Sequence, residues 1–121
     1  MTKSQSILHV CNREMLRPLR DEVLRMNGFQ VESTLETSAA RKKLARQAFD
    51  LVMIDLENEH RIPEAEEFCS EVKTANPSQL VAFVCNYRVA LKTECPDDVI
   101  RSEFNPEAFV KGVRSLLAAR A

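Results

Sequence analysis

The chain has very little glycine: of its 121 residues, only Gly28 and Gly112 are glycines. A glycine-rich phosphate-binding loop and a dinucleotide-binding fingerprint each need several glycines at fixed spacing. The sequence therefore argues against an ATPase and against a nicotinamide-dependent dehydrogenase built on these motifs. No pairing of a nucleophile with a base emerges from the other motifs, so we expect no enzymatic turnover.

Long apolar runs and an excess of charge of either sign are also absent. No run approaches the roughly 20 residues of a membrane-spanning helix, and the polar start Met1–Ser6 leads into a strand and does not resemble a secretion signal. Lys and Arg total 17 against 18 Asp and Glu, so the net charge of -1 gives no bulk electrostatic reason to bind nucleic acid or an anionic membrane. We expect a cytoplasmic protein whose partners are proteins or small ligands.

Cysteine and histidine are too few and too scattered to predict a structural metal site. The four cysteines are Cys11, Cys69, Cys85 and Cys95. None forms a C-x-x-C pair, and only His9 and His60 add imidazoles, so a structural zinc site has weak support. In a reducing compartment the cysteines are expected to be free thiols. His9 falls within an apolar run, which favours a core imidazole over a ligand.

Apolar runs alternate with segments of helical period, a pattern that indicates βαβ units and a parallel sheet covered on both faces. The predicted strands are Ile7–Val10, Phe29–Thr34, Asp50–Leu56, Leu80–Val84 and Asp98–Arg101. The apolar residues predicted to turn the first helix toward the core are Met15, Leu16, Leu19, Val23 and Met26. Between the last two strands there is room only for a turn or two of helix, near Tyr87–Lys92. The sequence thus predicts one α/β domain over residues 1–121, without an output domain.

The most informative residue is Asp55, which closes the apolar run Asp50–Leu56 about midway along the chain. The carboxyl ends of strands are where an open α/β sheet presents its chemistry. Together with the segments Val10–Phe29 and Phe104–Phe109, this run resembles the receiver domain of two-component response regulators over nearly the whole chain. The resemblance implies an open, doubly wound five-stranded parallel sheet of order 2-1-3-4-5, flavodoxin-like and three-layered. This chain departs from the family in a shortened fourth helix region, between the fourth and fifth strands.

The resemblance also implies a role for Asp55. In the family this aspartate accepts a phosphoryl group with the help of Mg²⁺, which is held by the acceptor, by an acidic residue after strand one and by a backbone carbonyl two residues beyond the acceptor. The corresponding positions here are Asp55, Asn12 and Glu57. Because Cys11 and Asn12 replace an acidic pair, we expect Mg²⁺ binding to be weakened.

Other positions of the phosphorylation switch differ as well. Ser102 stands where the family has a lysine, and Glu103 where a cis-proline is usual. Cys85 replaces the hydroxyl residue at the end of strand four, and it is a much weaker hydrogen-bond donor. Val99 replaces the aromatic residue of strand five. Apart from the acceptor, the switch that the resemblance implies is largely altered.

Three hypotheses follow. The first is a stand-alone receiver in a phosphorelay, still modified on Asp55 and partnered by a histidine kinase, a phosphotransfer protein or a downstream effector. The second is a pseudo-receiver adaptor that acts by protein–protein contact or as a homodimer, without phosphorylation. The third, less favoured, is a thiol or metal sensor formed by Cys11, Asp55 and Cys85. Exposure of Met15, Phe109 or Leu117 would indicate a docking face on the first and last helices.

Overall fold

A computed structural model of the chain describes residues 4–56, 61–85, 93–101 and 105–119. Its strands are β1 Ser6–Val10, β2 Gln30–Thr34, β3 Leu51–Asp55, β4 Leu80–Cys85 and β5 Asp98–Arg101. Its helices are α1 Leu16–Met26, α2 Thr37–Arg46, α3 Ile62–Ala75 and α4 Pro106–Ala119. All five predicted strands are confirmed with small shifts at their ends. The short helix predicted near Tyr87–Lys92 lies outside the described residues.

The strands form one parallel sheet of order β2-β1-β3-β4-β5, as predicted. Side chains alternate between its two faces, so each face has its own core. On one face Leu8, Val52 and Phe83 pack with residues of α2 and α3; on the other, Ile7 and Met53 pack with residues of α1 and α4. The chain order reverses between β1 and β3, and the carboxyl ends of these two strands mark the usual site position of such a fold.

Helix α1 is rotated relative to the prediction. Of the residues predicted to face the core, Met15, Leu19 and Met26 are 85%, 65% and 78% exposed. The residues that α1 buries are instead Arg20, Asp21 and Leu24. The predicted apolar face was therefore wrong for most of the helix. The physical reason lies in the sheet beneath α1, where a buried histidine and a carboxylate need charged partners.

The other helices present the faces that their sequence patterns predict. On α3, Ala65, Phe68, Cys69 and Val72 are buried, and α4 buries Phe109, Val113 and Leu117. Since Phe109 and Leu117 are buried, only Met15 meets the exposure expected of a docking face on α1 and α4.

Proline, asparagine and glycine set several helix ends. Pro18 lies in the first turn of α1, where its missing N–H costs little. Gly28 follows α1 with a φ of 92°, a left-handed conformation that glycine adopts without strain. Asn105 caps α4, because its side-chain oxygen accepts the backbone N–H of Ala108.

The longest helices of the described residues, α3 and α4, have 14 residues each. No helix within 4–56, 61–85, 93–101 and 105–119 combines the length and apolarity needed to cross a membrane.

Candidate functional site

Asp55 and His9 meet at the carboxyl end of the sheet because of strand register. In the parallel pairing of β1 with β3, His9 lies opposite Met53, so Asp55 is one pleat further along the same face. The Nε2–H of His9 donates a hydrogen bond of 2.5 Å to Oδ2 of Asp55. The His9 side chain is fully buried and that of Asp55 is only 6% exposed. The central carboxylate of the predicted site is thus turned into the protein.

Asp21 of α1 holds the other side of the same imidazole. The Nδ1–H of His9 donates to Oδ1 of Asp21 at 2.7 Å. Asp21 also receives a hydrogen bond from Ser33 of β2. The imidazole therefore bridges two carboxylates, one from a helix and one from a strand, and neither ring nitrogen is left without a partner.

Arg20 provides a second cation beside Asp55. Its Nε lies 3.3 Å from Oδ1 of Asp55, an ion pair without hydrogen-bond geometry. The guanidinium also lies over the ring of Phe109 of α4, 4.9 Å from the ring centroid, in a cation–π contact. Arg20 itself is buried. Both oxygens of the Asp55 carboxylate therefore face a buried cationic group.

The protonation of these groups follows from their contacts. Burial lowers the pKa of His9, but hydrogen bonds to Asp21, Asp55 and Cys11 outweigh burial and raise this pKa from 6.5 to about 10. Burial raises the pKa of Asp21, whereas its hydrogen bonds with His9 and Ser33 bring this pKa below its ordinary value. At neutral pH the imidazolium and Arg20 balance the two carboxylates. We call His9, Arg20, Asp21 and Asp55 the buried ion network.

A cavity of about 180 Å³ opens beside this network between the ends of β1 and β3 and the starts of α2 and α3. Its charged lining residues are Glu36, Asp55, Arg61 and Glu64, and Arg61 pairs with Glu64 at 3.2 Å. His9 and Arg20 are not among its described lining residues. The wall that an incoming anion meets thus carries more carboxylates than cations.

The predicted Mg²⁺ ligands do not fit the ion well in this arrangement. Mg²⁺ prefers several oxygen ligands in near-octahedral geometry. Asn12 is half-buried and lines the cavity with Asp55, but both Asp55 oxygens already face His9 and Arg20. Among the described residues, the side chains grouped for metal binding around Asp55 are a histidine and a cysteine. Glu57, the third predicted ligand, lies outside the described residues.

The residues that the resemblance assigns to the phosphorylation switch do not all lie beside Asp55. Cys11 lies next to the network: its thiol is in hydrogen-bond contact with His9 and donates to the carbonyl oxygen of Arg13 at 3.8 Å. Cys85 packs with the core residues on the α2–α3 side, and burial raises the pKa of its thiol. Val99 is half-buried against the same core. Ser102 and Glu103 lie outside the described residues.

The structure brings Asp55, Asn12 and Cys11 to one end of the sheet, as the sequence predicts, but sequence reasoning missed Arg20, Asp21 and the part played by His9. The sequence does contain a pattern that indicates these residues. His9, Cys11 and Asp55 share strand parity, and Arg20, Asp21 and Leu24 have the spacing of one helical face. Two adjacent charged residues on that face would have indicated a polar partner in the sheet.

No protein-family model matches the sequence, and no curated protein matches it. Similarity appears in solved structures. The chemotaxis response regulator CheY4 of Vibrio cholerae superposes with a TM-score of 0.80 at 17% identity, over 94% of this chain and 99% of that chain. The response regulator TrrA of Thermotoga maritima, solved with Mg²⁺-BeF, gives a TM-score of 0.78 at 23% identity, over 93% and 98%.

The chain has the receiver-domain fold. A larger protein, NtrX from Brucella abortus, contains the same fold as a part: the match covers 98% of this chain but 27% of that one, with a TM-score of 0.83 at 17% identity. Within this fold, Cys11, Asn12 and the buried ion network lie at the carboxyl end of the sheet.

Proposed function

We propose that this chain is a receiver-fold adaptor of two-component signalling, which binds protein partners and whose state is not set by phosphorylation of Asp55. The observation that carries the proposal is the engagement of both Asp55 oxygens by His9 and Arg20. The protein has no catalytic turnover in this proposal, and its effect comes from the complexes it forms.

Attack by Asp55 on a phosphodonor would disrupt the buried ion network. The attacking oxygen becomes the bridging oxygen of an acyl phosphate, whose negative charge lies on the phosphoryl oxygens, so it would no longer balance the buried cation beside it. Leaving a buried charge without its partner costs about 3–5 kcal/mol. The engagement of Asp55 by His9 and Arg20 therefore opposes phosphoryl transfer even where a donor reaches the cavity.

The cavity adds a second obstacle. Phosphodonors are anionic, and catalysis of phosphoryl transfer depends on preorganised cations around the transferred group. Here the cavity presents Glu36, Asp55 and Glu64, and its one described cation, Arg61, is already paired with Glu64. An anionic donor would meet a wall that repels it.

A partner surface is available on α1. Met15, Leu19 and Met26 are largely exposed and are spaced by four and seven residues, so they lie along one side of the helix. Large exposed side chains that follow one another along a helix often mark a protein contact. Histidine kinase ThkA is known in complex with TrrA, whose fold this chain shares at a TM-score of 0.77 and 23% identity. We propose a histidine kinase as the partner class, with a second copy of this chain as the alternative.

The first experiment is intact-mass spectrometry after incubation with acetyl phosphate and Mg²⁺. We expect no phosphoryl adduct on this chain, and TrrA is incubated in parallel as the comparison protein. An adduct that disappears in Asp55→Asn would contradict the proposal and support the phosphorelay hypothesis.

The partner surface is tested by calorimetry against the dimerisation domains of histidine kinases from the same genome. We expect binding that does not depend on acetyl phosphate and that Leu19→Glu reduces at least tenfold. The matched control is Glu22→Gln, an exposed residue of the same helix. Sedimentation of the free chain tests self-association, and a dimer that Leu19→Glu dissociates would replace the kinase by a second copy as the occupant.

A further inference from the structure

The buried ion network adjoins a group of side chains that are ligands for transition metals. A ring nitrogen of His9, Sγ of Cys11 and a carboxylate oxygen of Asp55 lie within 4.8 Å of one another, and no other such group of three or more occurs in the described ranges. Nitrogen, sulfur and oxygen donors of these types are typical of zinc-class divalent ions and are unlike the all-oxygen set that Mg²⁺ prefers. We propose that His9, Cys11 and Asp55 bind a zinc-class divalent cation.

The partner of the second imidazole nitrogen supports the proposal. Histidines that ligate metals usually donate the other N–H to a carboxylate, which fixes the orientation of the ring. Here Nδ1–H of His9 donates to Asp21 at 2.7 Å, so Nε2 is the nitrogen directed at Asp55. Asp21 is in turn held by Ser33. The carboxylate that usually orients a metal-binding histidine is therefore present.

The ligand atoms need only a small adjustment. With metal–ligand bonds of about 2.0–2.1 Å, neighbouring nitrogen and oxygen ligands of a tetrahedral zinc site lie about 3.3 Å apart. The Nε2–Oδ2 distance is now 2.5 Å, as suits a hydrogen bond, so His9 and Asp55 must separate by less than one ångström. Cys11 follows the last residue of β1, and its backbone N–H still donates to the carbonyl oxygen of Thr34 at 3.0 Å, so the adjustment falls on its side chain.

Charge is conserved when the ion binds. The free network holds the imidazolium and Arg20 against two carboxylates, which gives a net charge of zero. A dication that displaces one proton from His9 and one from Cys11 adds two charges and removes two, so the buried charge is again zero. The proton on His9 and the metal are thus alternative occupants of the same place.

The cavity touches the proposed site at one ligand. Of the three residues, Asp55 is the one that lines the described part of the cavity, so it is the ligand nearest to that opening. Three protein ligands leave a fourth tetrahedral position for a ligand from solvent. Closed structural sites have four protein ligands, whereas sites that exchange ligands keep one position open.

The test uses Co²⁺ as a spectroscopic probe for the site, because a thiolate–Co²⁺ bond gives a charge-transfer absorption. We expect one equivalent of Co²⁺ to produce this band and one equivalent of Zn²⁺ to abolish it, while millimolar Mg²⁺ leaves it unchanged. Cys11→Ser should remove the band and weaken Zn²⁺ binding at least tenfold. Asp21→Asn should weaken binding about 10- to 100-fold, as is usual when an outer partner of a ligating histidine is lost.

Matched controls separate this site from other thiols. Cys85→Ser and Cys95→Ser change cysteines that pack with the core on the α2–α3 side, and both should keep the band. A band that survives Cys11→Ser but not Cys95→Ser would overturn the proposal, as would the absence of any binding at micromolar Co²⁺ or Zn²⁺. Cys11→Ser leaves all four residues of the buried ion network in place, and circular dichroism will check that the variant is folded.

Discussion

His9 of β1 donates a 2.5 Å hydrogen bond to Asp55 of β3 and, through its other nitrogen, one of 2.7 Å to Asp21 of α1. One imidazole thus connects two central strands to the helix that covers them. It also gives Asp55 a structural role as a counter-ion, and this role can be measured separately from any phosphorylation.

Replacing Asp55 tests that role directly. Asp55→Asn should lower the free energy of unfolding by about 3 kcal/mol, because it leaves the buried charges of His9 and Arg20 with one carboxylate. The measurement is urea denaturation at pH 6. The control is Asp50→Asn at the other end of the same run, an exposed residue bonded to Ser6, which should cost about 1 kcal/mol or less. Equal losses in the two variants would contradict a buried ion network.

Asp21 should be equally important although it lies outside the predicted site. Asp21→Asn removes the charge that faces Nδ1 of His9, and we expect a loss of about 2–4 kcal/mol together with a lower pKa of His9. Its neighbour Glu22 is exposed, so Glu22→Gln should change stability by less than about 0.5 kcal/mol. The two predicted stability changes are measured by thermal unfolding of both variants. A shift in Glu22→Gln as large as that in Asp21→Asn would refute the burial of Asp21.

Stability should depend on pH in a direction fixed by His9. The pKa of His9 is about 10 in the folded chain against 6.5 for an ordinary histidine, so folding favours the protonated form. This contribution is complete below pH 6.5 and is lost as pH rises toward 10. Asp21, with its lowered pKa, acts oppositely: its contribution is present above pH 3.8 and is lost in acid. Denaturation from pH 4 to 10 should therefore show a maximum near pH 4–6.5 and a fall of a few kcal/mol above it.

Nuclear magnetic resonance measures the protonation of the His9 imidazole directly. Nitrogen chemical shifts of the imidazoles should show His9 doubly protonated at pH 8, where an ordinary histidine is neutral. The only other histidine of the chain, His60, is distinguished by His60→Gln. A His9 ring that titrates near 6.5 would refute the proposed charge state.

Two leucines of α1 report how the helix is turned. Leu24 is fully buried and Leu19 is 65% exposed. Leu24→Ala should therefore cost about 2–5 kcal/mol, whereas Leu19→Ala should change stability by less than about 0.5 kcal/mol. The free energy of unfolding of both variants is measured by chemical denaturation. The comparison is matched because both variants replace leucine with alanine on the same helix. A larger loss for Leu19→Ala would restore the orientation that the apolar pattern predicts.

Gly28 tests the end of the same helix. Its φ is 92° and a Cβ built there meets nothing within 4 Å, so only the backbone conformation opposes a side chain. Gly28→Ala should cost roughly 1 kcal/mol. Gly28→Asn should cost less, since asparagine tolerates the left-handed conformation better. Equal stability of wild type and Gly28→Ala would show that the chain leaves α1 differently.

The sequence predicts the sheet well because its strands are fixed by local features. The apolar runs before Asp55 and through Phe83 are bounded by polar segments, and chain order then follows the rules of βαβ units. The position of Asp55 beside Cys11 and Asn12 follows from strand ends alone. None of this requires knowledge of how a helix is rotated.

The face of α1 was predicted wrongly for a physical reason. Its sequence offers apolar residues at Met15, Leu19 and Met26 and charged residues at Arg20 and Asp21, and periodicity alone favours burying the first set. Each exposed methionine or leucine gives up about 1.5–3 kcal/mol of burial, whereas the opposite rotation would take one charged partner from His9 and one from Asp55, at about 3–5 kcal/mol for each buried charge left unpaired. His9 and Asp55 therefore determine the rotation of α1, and their contact depends on a pairing between distant parts of the chain.

The buried ion network also restricts how this receiver fold can change over evolutionary time. His9, Asp21 and Asp55 each stabilise the fold only while the others keep their charges, so replacing any one of them alone passes through a destabilised protein. Replacements at these three positions are therefore expected to occur together, and a change that removes the charge of one of them alone should be selected against.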